Sequence, residues 1–252
     1  MAPRRQPIPP TGERVAAERP SISIPGRFNG PPQSANGGGF TCGSLARTLG
    51  AGAVEVNLRQ PPPLGVELDL AREGERVELR DGDSLIAEAR PLSGLDVTPP
   101  TTVDLEQATA ASRRYPWFHT HVFPTCFVCG PRRPQRDGLE LFAGPAAEPS
   151  GVHAAPWVPA AEWEQEGEVR EEIVWAALDC PSAVPVMSDG KPAVLARLAA
   201  SREAPVLAER PHVVVSWVIE IEGRKLHSAS AILDEQGELL ARARALWIEL
   251  RH

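Results

Sequence analysis

Arg170-Glu-Glu-Ile-Val-Trp-Ala-Ala-Leu-Asp179-Cys-Pro-Ser-Ala183 is a short apolar stretch carrying one carboxylate where a core side chain is expected. Ile173, Ala176, Ala177 and Cys180 recur at intervals of three and four, which predicts a helix with one buried stripe. Asp179 falls on the last turn, since Pro181 cannot continue an unkinked helix. An unpaired buried charge is expensive, so this carboxylate is paired, capping or kept for chemistry. As a plain C-terminal polar residue it would bond a turn around Ser182. An internal repeat favours chemistry.

Working upstream, residues 1–20 are rich in Pro and Arg without an apolar period and are expected to form a disordered tail. Ile22, Ile24 and Phe28 suggest a first strand. The cluster Asn36-Gly37-Gly38-Gly39 then opens a helix with apolar spacing at Phe40, Leu45 and Leu49. Glycines at a helix start let a ligand approach the backbone, where the first N–H groups lack partners. Three strands follow at 54–58, 65–72 and 84–90, with a turn at Asp81-Gly82. This half spans residues 21–95. Residues 96–125, with Pro99-Pro100 and a short helix at 105–112, read as a linker.

The pattern then returns over residues 126–252. Strands are expected at 138–142 and 151–157, the helix at 170–181, and further strands at 193–198, 212–222, 225–233 and 238–250. Gly82-Asp-Ser-Leu-Ile-Ala-Glu-Ala-Arg-Pro-Leu92 matches Gly237-Glu-Leu-Leu-Ala-Arg-Ala-Arg-Ala-Leu246 with a one-residue gap. A period this long means a duplicated domain rather than a solenoid. Each copy places one helix before antiparallel strands, an α+β layout with two antiparallel sheets, each wrapped around one helix.

The 252 residues suffice for a sizeable core, and 42% hydrophobic with 23% charged residues is ordinary for a globular chain. A net charge of -7 argues against a nucleic-acid surface. No apolar run reaches the roughly 18 residues of a membrane span, and no signal-peptide core opens the chain, so the cytoplasm is the expected location. Four cysteines do not make a disulfide framework.

Ala35-Asn-Gly-Gly-Gly39, Cys126-Phe-Val-Cys-Gly-Pro131 with Asp137-Gly-Leu139, and Leu178-Asp179 together resemble the double hotdog acyl-CoA thioesterases. The pattern is close to bacterial thioesterase II and, within each half, to PaaI-like hotdog thioesterases. The resemblance covers roughly residues 20–92 and 126–250. In PaaI-like members a His-Gly-Gly loop opens the helix of one subunit, and an acid further along the helix of the other faces it. Here Asn36 stands where the family has His, and the position nine residues on is Leu45, so the first half lacks the acid. The second half has the acid, Asp179, but nine residues earlier reads Arg170-Glu171-Glu172, without glycines. Each half keeps what the other has lost.

The resemblance therefore implies one composite site per chain. The first half supplies Asn36, Gly37, Gly38 and Gly39 to bind the thioester, and the second supplies Asp179 as general base or nucleophile. It also implies that Ser201 occupies the hydroxyl position that orients the water. The paired glutamates at 171 and 172 would repel an oxyanion, leaving the pseudo-symmetric site dead.

Arg132 and Arg133, with Arg136, make a basic turn suited to coenzyme A phosphates, or else a solvated loop. His119, His121, Cys126 and Cys129 carry zinc-type donors, although Cys-Phe-Val-Cys-Gly also reads as a metal-free turn, and the reading adopted has no metal and no cofactor. Trp157, Trp175, Trp217 and Trp247 read as core. The expected partner is an acyl-CoA or an acyl-carrier protein, and strand edges leave a homo-oligomer open. The competing functions are an acyl-CoA-binding protein without catalysis and a hotdog hydratase or dehydratase.

Overall fold

The computed structural model describes residues 20–148, 150–187 and 192–251. The expected tail at residues 1–19 lies outside the described residues. Eleven strands form one antiparallel sheet. The first half contributes β1 (Ser21–Ser23), β2 (Ala53–Leu58), β3 (Glu67–Glu73), β4 (Arg76–Asp81) and β5 (Ser84–Pro91). The second contributes β6 (Gly144–Pro145), β7 (Val152–Trp157), β10 (Ala193–Arg202), β11 (His212–Glu222), β12 (Lys225–Leu233) and β13 (Leu239–Glu249). A separate two-stranded ribbon pairs β8 (Glu164–Gln165) with β9 (Glu168–Val169).

The expectation of two separate sheets gives way to one, because β2 and β10 pair at the junction, Ser201 opposite Ala53 and Arg197 opposite Asn57. Reading outward from that junction, one side runs β2-β5-β4-β3-β1 and the other β10-β13-β12-β11-β7-β6. The two segments matched in the sequence, β5 and β13, thus hold equivalent places next to the central pair. Both outer strands, β1 and β6, are very short, which leaves little edge for another chain to join.

Two helices lie together on one face of the sheet: α1 (Cys42–Leu49), entered through a π-helical turn at Gly37–Thr41, and α3 (Glu171–Ala183). Alternation along the strands decides what they bury. Ala155, Val214 and Ile232 enter the main core with α1 and α3. Their neighbours Ala154, Val213, Val215 and Ala231 point the other way, into a second core. That core is covered by α2 (Leu105–Ser112), where Ala108 and Ala111 face the sheet. Asp104 starts α2 with a capping box: its carboxylate accepts the Gln107 N–H at 2.8 Å, and Gln107 returns a bond to its N–H at 2.9 Å. The connection ahead of α2 also crosses this outer face, where the Val97 carbonyl accepts a bond from Arg242 at 3.1 Å.

Three sequence expectations change. The helix does not end at Pro181 but runs through it to Ala183. A proline inside a helix costs about 3 kcal/mol, and here every residue from Glu172 to Ala183 is buried, which outweighs that cost. Residues 138–142 are not a strand, since Glu140 has φ of 52°, and the short strand falls later, at β6. Finally β4, absent from the sequence reading, completes the first half.

Candidate active site at the junction of the two helices

The site begins with the turn that precedes α1. Asn36 is buried, and its Oδ1 accepts the Gly39 N–H at 2.6 Å, a side-chain cap on the first turn. Its Nδ2 then donates to Asp179 Oδ2 at 2.9 Å and lies 3.6 Å from Cys180 Sγ. One amide therefore joins the glycine turn of the first half to the carboxylate of the second. By its place in the first turn, the Gly38 N–H has no intrahelical acceptor.

Gly38 and Gly39 are what allow this approach. A Cβ on Gly38 would come under 3.0 Å from all three terminal atoms of the Asp179 carboxyl, and one on Gly39 would come 2.5 Å from Ala176 Cβ. The expected meeting of loop and acid is thus met at Asn36, Gly38, Gly39 and Asp179.

Asp179 is 2% exposed, and its Oδ1 is buried without a hydrogen-bond partner. Burial pushes its carboxyl up to about 7; a neighbouring Cys126 thiolate adds to the rise, while Asn36 and the N–H groups of Gly39 and Gly38 oppose it. Its backbone is held in turn: Ser182 Oγ donates to the Asp179 carbonyl at 2.7 Å and accepts from Trp247 Nε1 at 3.0 Å. Ser230 Oγ ties the preceding carbonyl, of Leu178, to β12 at 2.6 Å.

Asn36, Gly38 and Asp179 form one wall of a cavity of about 260 Å³. Leu58, Met187, Leu195, Trp117, Phe123 and Trp247 make much of the rest apolar. Trp247, read as core, does both jobs.

At the pseudo-symmetric position Leu45 stands in place of the acid, and Arg170-Glu171-Glu172 in place of the glycine turn. Leu45 is fully buried in the main core. Glu172, also buried, accepts a bond from Arg47 at 2.7 Å, and Arg170 packs over Phe28, Phe40 and Trp163.

Other expected site residues lie elsewhere. Ser201 does not line the cavity: it alternates with the core residues Leu198 and Ala200, so it faces the opposite side of the sheet. There its hydroxyl donates to Glu203 at 2.8 Å and accepts from Arg242 at 3.4 Å. Arg133 is a strut. Its guanidinium donates to Asn29 Oδ1 and the Thr125 carbonyl, both at 2.7 Å, and to the Arg27 carbonyl at 2.6 Å, and it pairs with Asp137 at 3.0 Å. Arg132 is exposed on the same turn.

Of the zinc-type donors, His119 is exposed and takes no part. Cys126 and Cys129 instead meet Cys180 from α3, with the three sulfurs within 4.8 Å of one another, all buried. Hydrogen bonds from the Cys129 and Cys180 thiols, joined by the N–H groups of Cys129 and Val128, hold the Cys126 thiol well below its usual range. Cys180 was legible only as one more residue of the buried stripe, because its partners lie more than fifty positions away.

No protein-family model and no curated protein matches the chain. Solved structures do. A candidate thioesterase from Novosphingobium aromaticivorans is similar over 92% of this chain and 95% of its own, at 14% identity and a TM-score of 0.62. The tesB protein of Mycobacterium avium subspecies paratuberculosis is similar over 95% and 96%, at 12% identity and a TM-score of 0.63. A protein with a hotdog fold from Alicyclobacillus acidocaldarius is similar over 92% and 93%, at 10% identity and a TM-score of 0.53. At these identities the likeness speaks to the fold, and the chain has the hotdog fold along nearly its whole length.

Proposed function

We propose that this chain hydrolyses the thioester of an acyl-CoA or an acyl-carrier protein at one composite site per chain. The observation that carries the proposal is Asp179: a buried carboxylate with one oxygen held by Asn36 at 2.9 Å and the other without a partner, on the wall of an apolar cavity and against Gly38. A carboxylate on the wall of a cavity is within reach of a proton from bound water or substrate.

The chemistry follows from the placement. The acyl group lies in the apolar cavity, with its carbonyl oxygen at the Gly38 N–H. That donor sits at the positive end of α1 and stabilises the oxygen as negative charge develops. Asp179 takes a proton from water as the water oxygen attacks the carbonyl carbon. The tetrahedral intermediate collapses, the carbon–sulfur bond breaks, and Asp179 returns the proton to the departing thiolate. In the covalent alternative the Asp179 carboxylate attacks first and water later opens the anhydride. Hydrolysis in ¹⁸O water under single turnover tests the covalent route: label in Asp179 marks an anhydride opened at the Asp179 carbonyl, which general-base hydrolysis cannot give.

Asn36 is a positioning residue: it caps the turn and aims the carboxylate. The experiment is release of free thiol, read with a thiol reagent, from a panel of acyl-CoAs and an acyl-carrier protein. Release above the uncatalysed rate for at least one thioester is expected. Tight binding of acyl-CoA without release would instead favour a binding protein, and a changing enoyl absorbance without thiol would favour a hydratase. Thiol release only from the acyl-carrier protein would fix the carrier without changing the reaction.

A further inference from the structure

We propose that Cys126, Cys129 and Cys180 together bind a thiophilic dication, zinc by the chemistry of the donors, as three thiolates beside the Asp179 cavity. The proposal does not rest on thioester hydrolysis. It rests on sulfurs brought together from two distant segments, the loop that opens the second half and the last turns of α3.

The spacing fits. Cys126 Sγ and Cys180 Sγ stand 3.6 Å apart, and all three sulfurs lie within 4.8 Å of one another. Tetrahedral zinc with zinc–sulfur bonds of about 2.3 Å places its sulfur ligands about 3.8 Å apart. The loop is also built for the task. Cys126-Phe-Val-Cys129-Gly130 closes as a knuckle with the Gly130 N–H on the Cys126 carbonyl at 3.0 Å. A Cβ on Gly130 would come 2.7 Å from both that oxygen and the Pro124 carbonyl, so the turn is closed by its glycine.

Buried cysteines commonly serve as small apolar side chains, and Cys42, buried in α1, does so here. That account covers single cysteines. It does not explain three sulfurs in one contact sphere, two from a tight loop and the third from a helix more than fifty positions away. A disulfide would use two of the three and strand the last.

His121 adds a fourth group without joining the ligands. Its Nδ1 accepts the Phe123 N–H at 2.9 Å, so Nε2 carries the hydrogen and faces Cys129 Sγ at 3.2 Å. A hydrogen bond to a ligating sulfur suits this geometry, and it leaves the fourth coordination position to solvent from the cavity that these residues line.

The test uses the full-length protein. Zinc is measured by mass spectrometry of the purified protein and again after incubation with zinc under reducing conditions and desalting. About one zinc per chain is expected, falling at least tenfold in Cys126→Ser, Cys129→Ser and Cys180→Ser. Cys42→Ser and His121→Ala are expected to keep it. Because a serine variant can fail by unfolding, cobalt is also titrated into the wild type, where an intense thiolate-to-cobalt charge-transfer band is expected. Wild-type protein holding less than a tenth of a zinc per chain after incubation, or cobalt bound without that band, overturns the proposal. Full zinc in Cys180→Ser does the same. Loss of zinc in His121→Ala overturns the three-thiolate ligand set.

Discussion

Gly38→Ala is the smallest change that should empty the site of activity. Gly38 lies outside the left-handed region, so alanine is compatible with its backbone. What alanine meets is the Asp179 carboxyl. Of its three terminal atoms the farthest, Oδ2, would be 2.6 Å from the new methyl, whereas ordinary contact begins at 3.4 Å, so the carboxylate must retreat by no less than 0.8 Å. That retreat stretches the Asn36 bond, now 2.9 Å, beyond hydrogen-bonding range. A misplacement of about 1 Å in a reacting group can cost about 10²-fold in rate, so kcat/KM for a thioester substrate should fall by at least that factor. Thiol release gives the rate and thermal unfolding gives the stability. Both penalties should share one cause: in an Asp179→Gly background the same Gly38→Ala change should lower Tm far less than it does in the wild type. Wild-type turnover in Gly38→Ala, or an equal Tm loss in both backgrounds, would refute the close approach of turn and acid.

Asn36→Ala removes a cap worth about 0.5–2 kcal/mol and frees the carboxylate, so both Tm and kcat should fall, and a variant that loses only Tm would strip Asn36 of its positioning role. Ser201→Ala should keep near-wild-type kcat, because its hydroxyl serves Glu203 and Arg242 on the far face of the sheet; a loss of a hundredfold or more would return it to the site. Arg133→Ala should lower Tm through its lost bonds to Asn29, Thr125 and Arg27 while leaving KM for acyl-CoA within about twofold, since the guanidinium is already engaged. A large rise in KM without a change in Tm would restore the phosphate-binding expectation.

How much of this was legible in the sequence depended on whether the signal was local. β11 and β12 fall at the expected residues, 212–222 and 225–233, because alternation and flanking turns are properties of neighbours in the chain. β4 was missed because Arg76-Val-Glu-Leu-Arg-Asp81 offers only two apolar side chains between two turns, and pairing with β3 and β5 makes it a strand. The end of α3 was misplaced because proline carries a local penalty, whereas burial of the whole helix is a property of the fold. The pairing of β2 with β10, which fuses two halves into one sheet, has no signature in either strand. The site divides along the same line. Complementary loss in two copies pointed to Asn36, Gly38 and Asp179, while Ser201, carried over from a resemblance, depended on which face of β10 it occupies. Cys180 could not be joined to Cys126 and Cys129 until α3 was laid against the loop.

The central claim is that one carboxylate from the second half works against a backbone turn from the first, and steady-state thiol release by Asp179→Asn tests it most directly. The substitution keeps the side chain's shape and its bond to Asn36 and removes a charge that burial disfavours, so Tm should stay near the wild-type value. The account predicts a loss of turnover of at least about 10³-fold, the usual scale for removing an acid–base group or an oxyanion donor. A folded Asp179→Asn protein that releases thiol at the wild-type rate would contradict it.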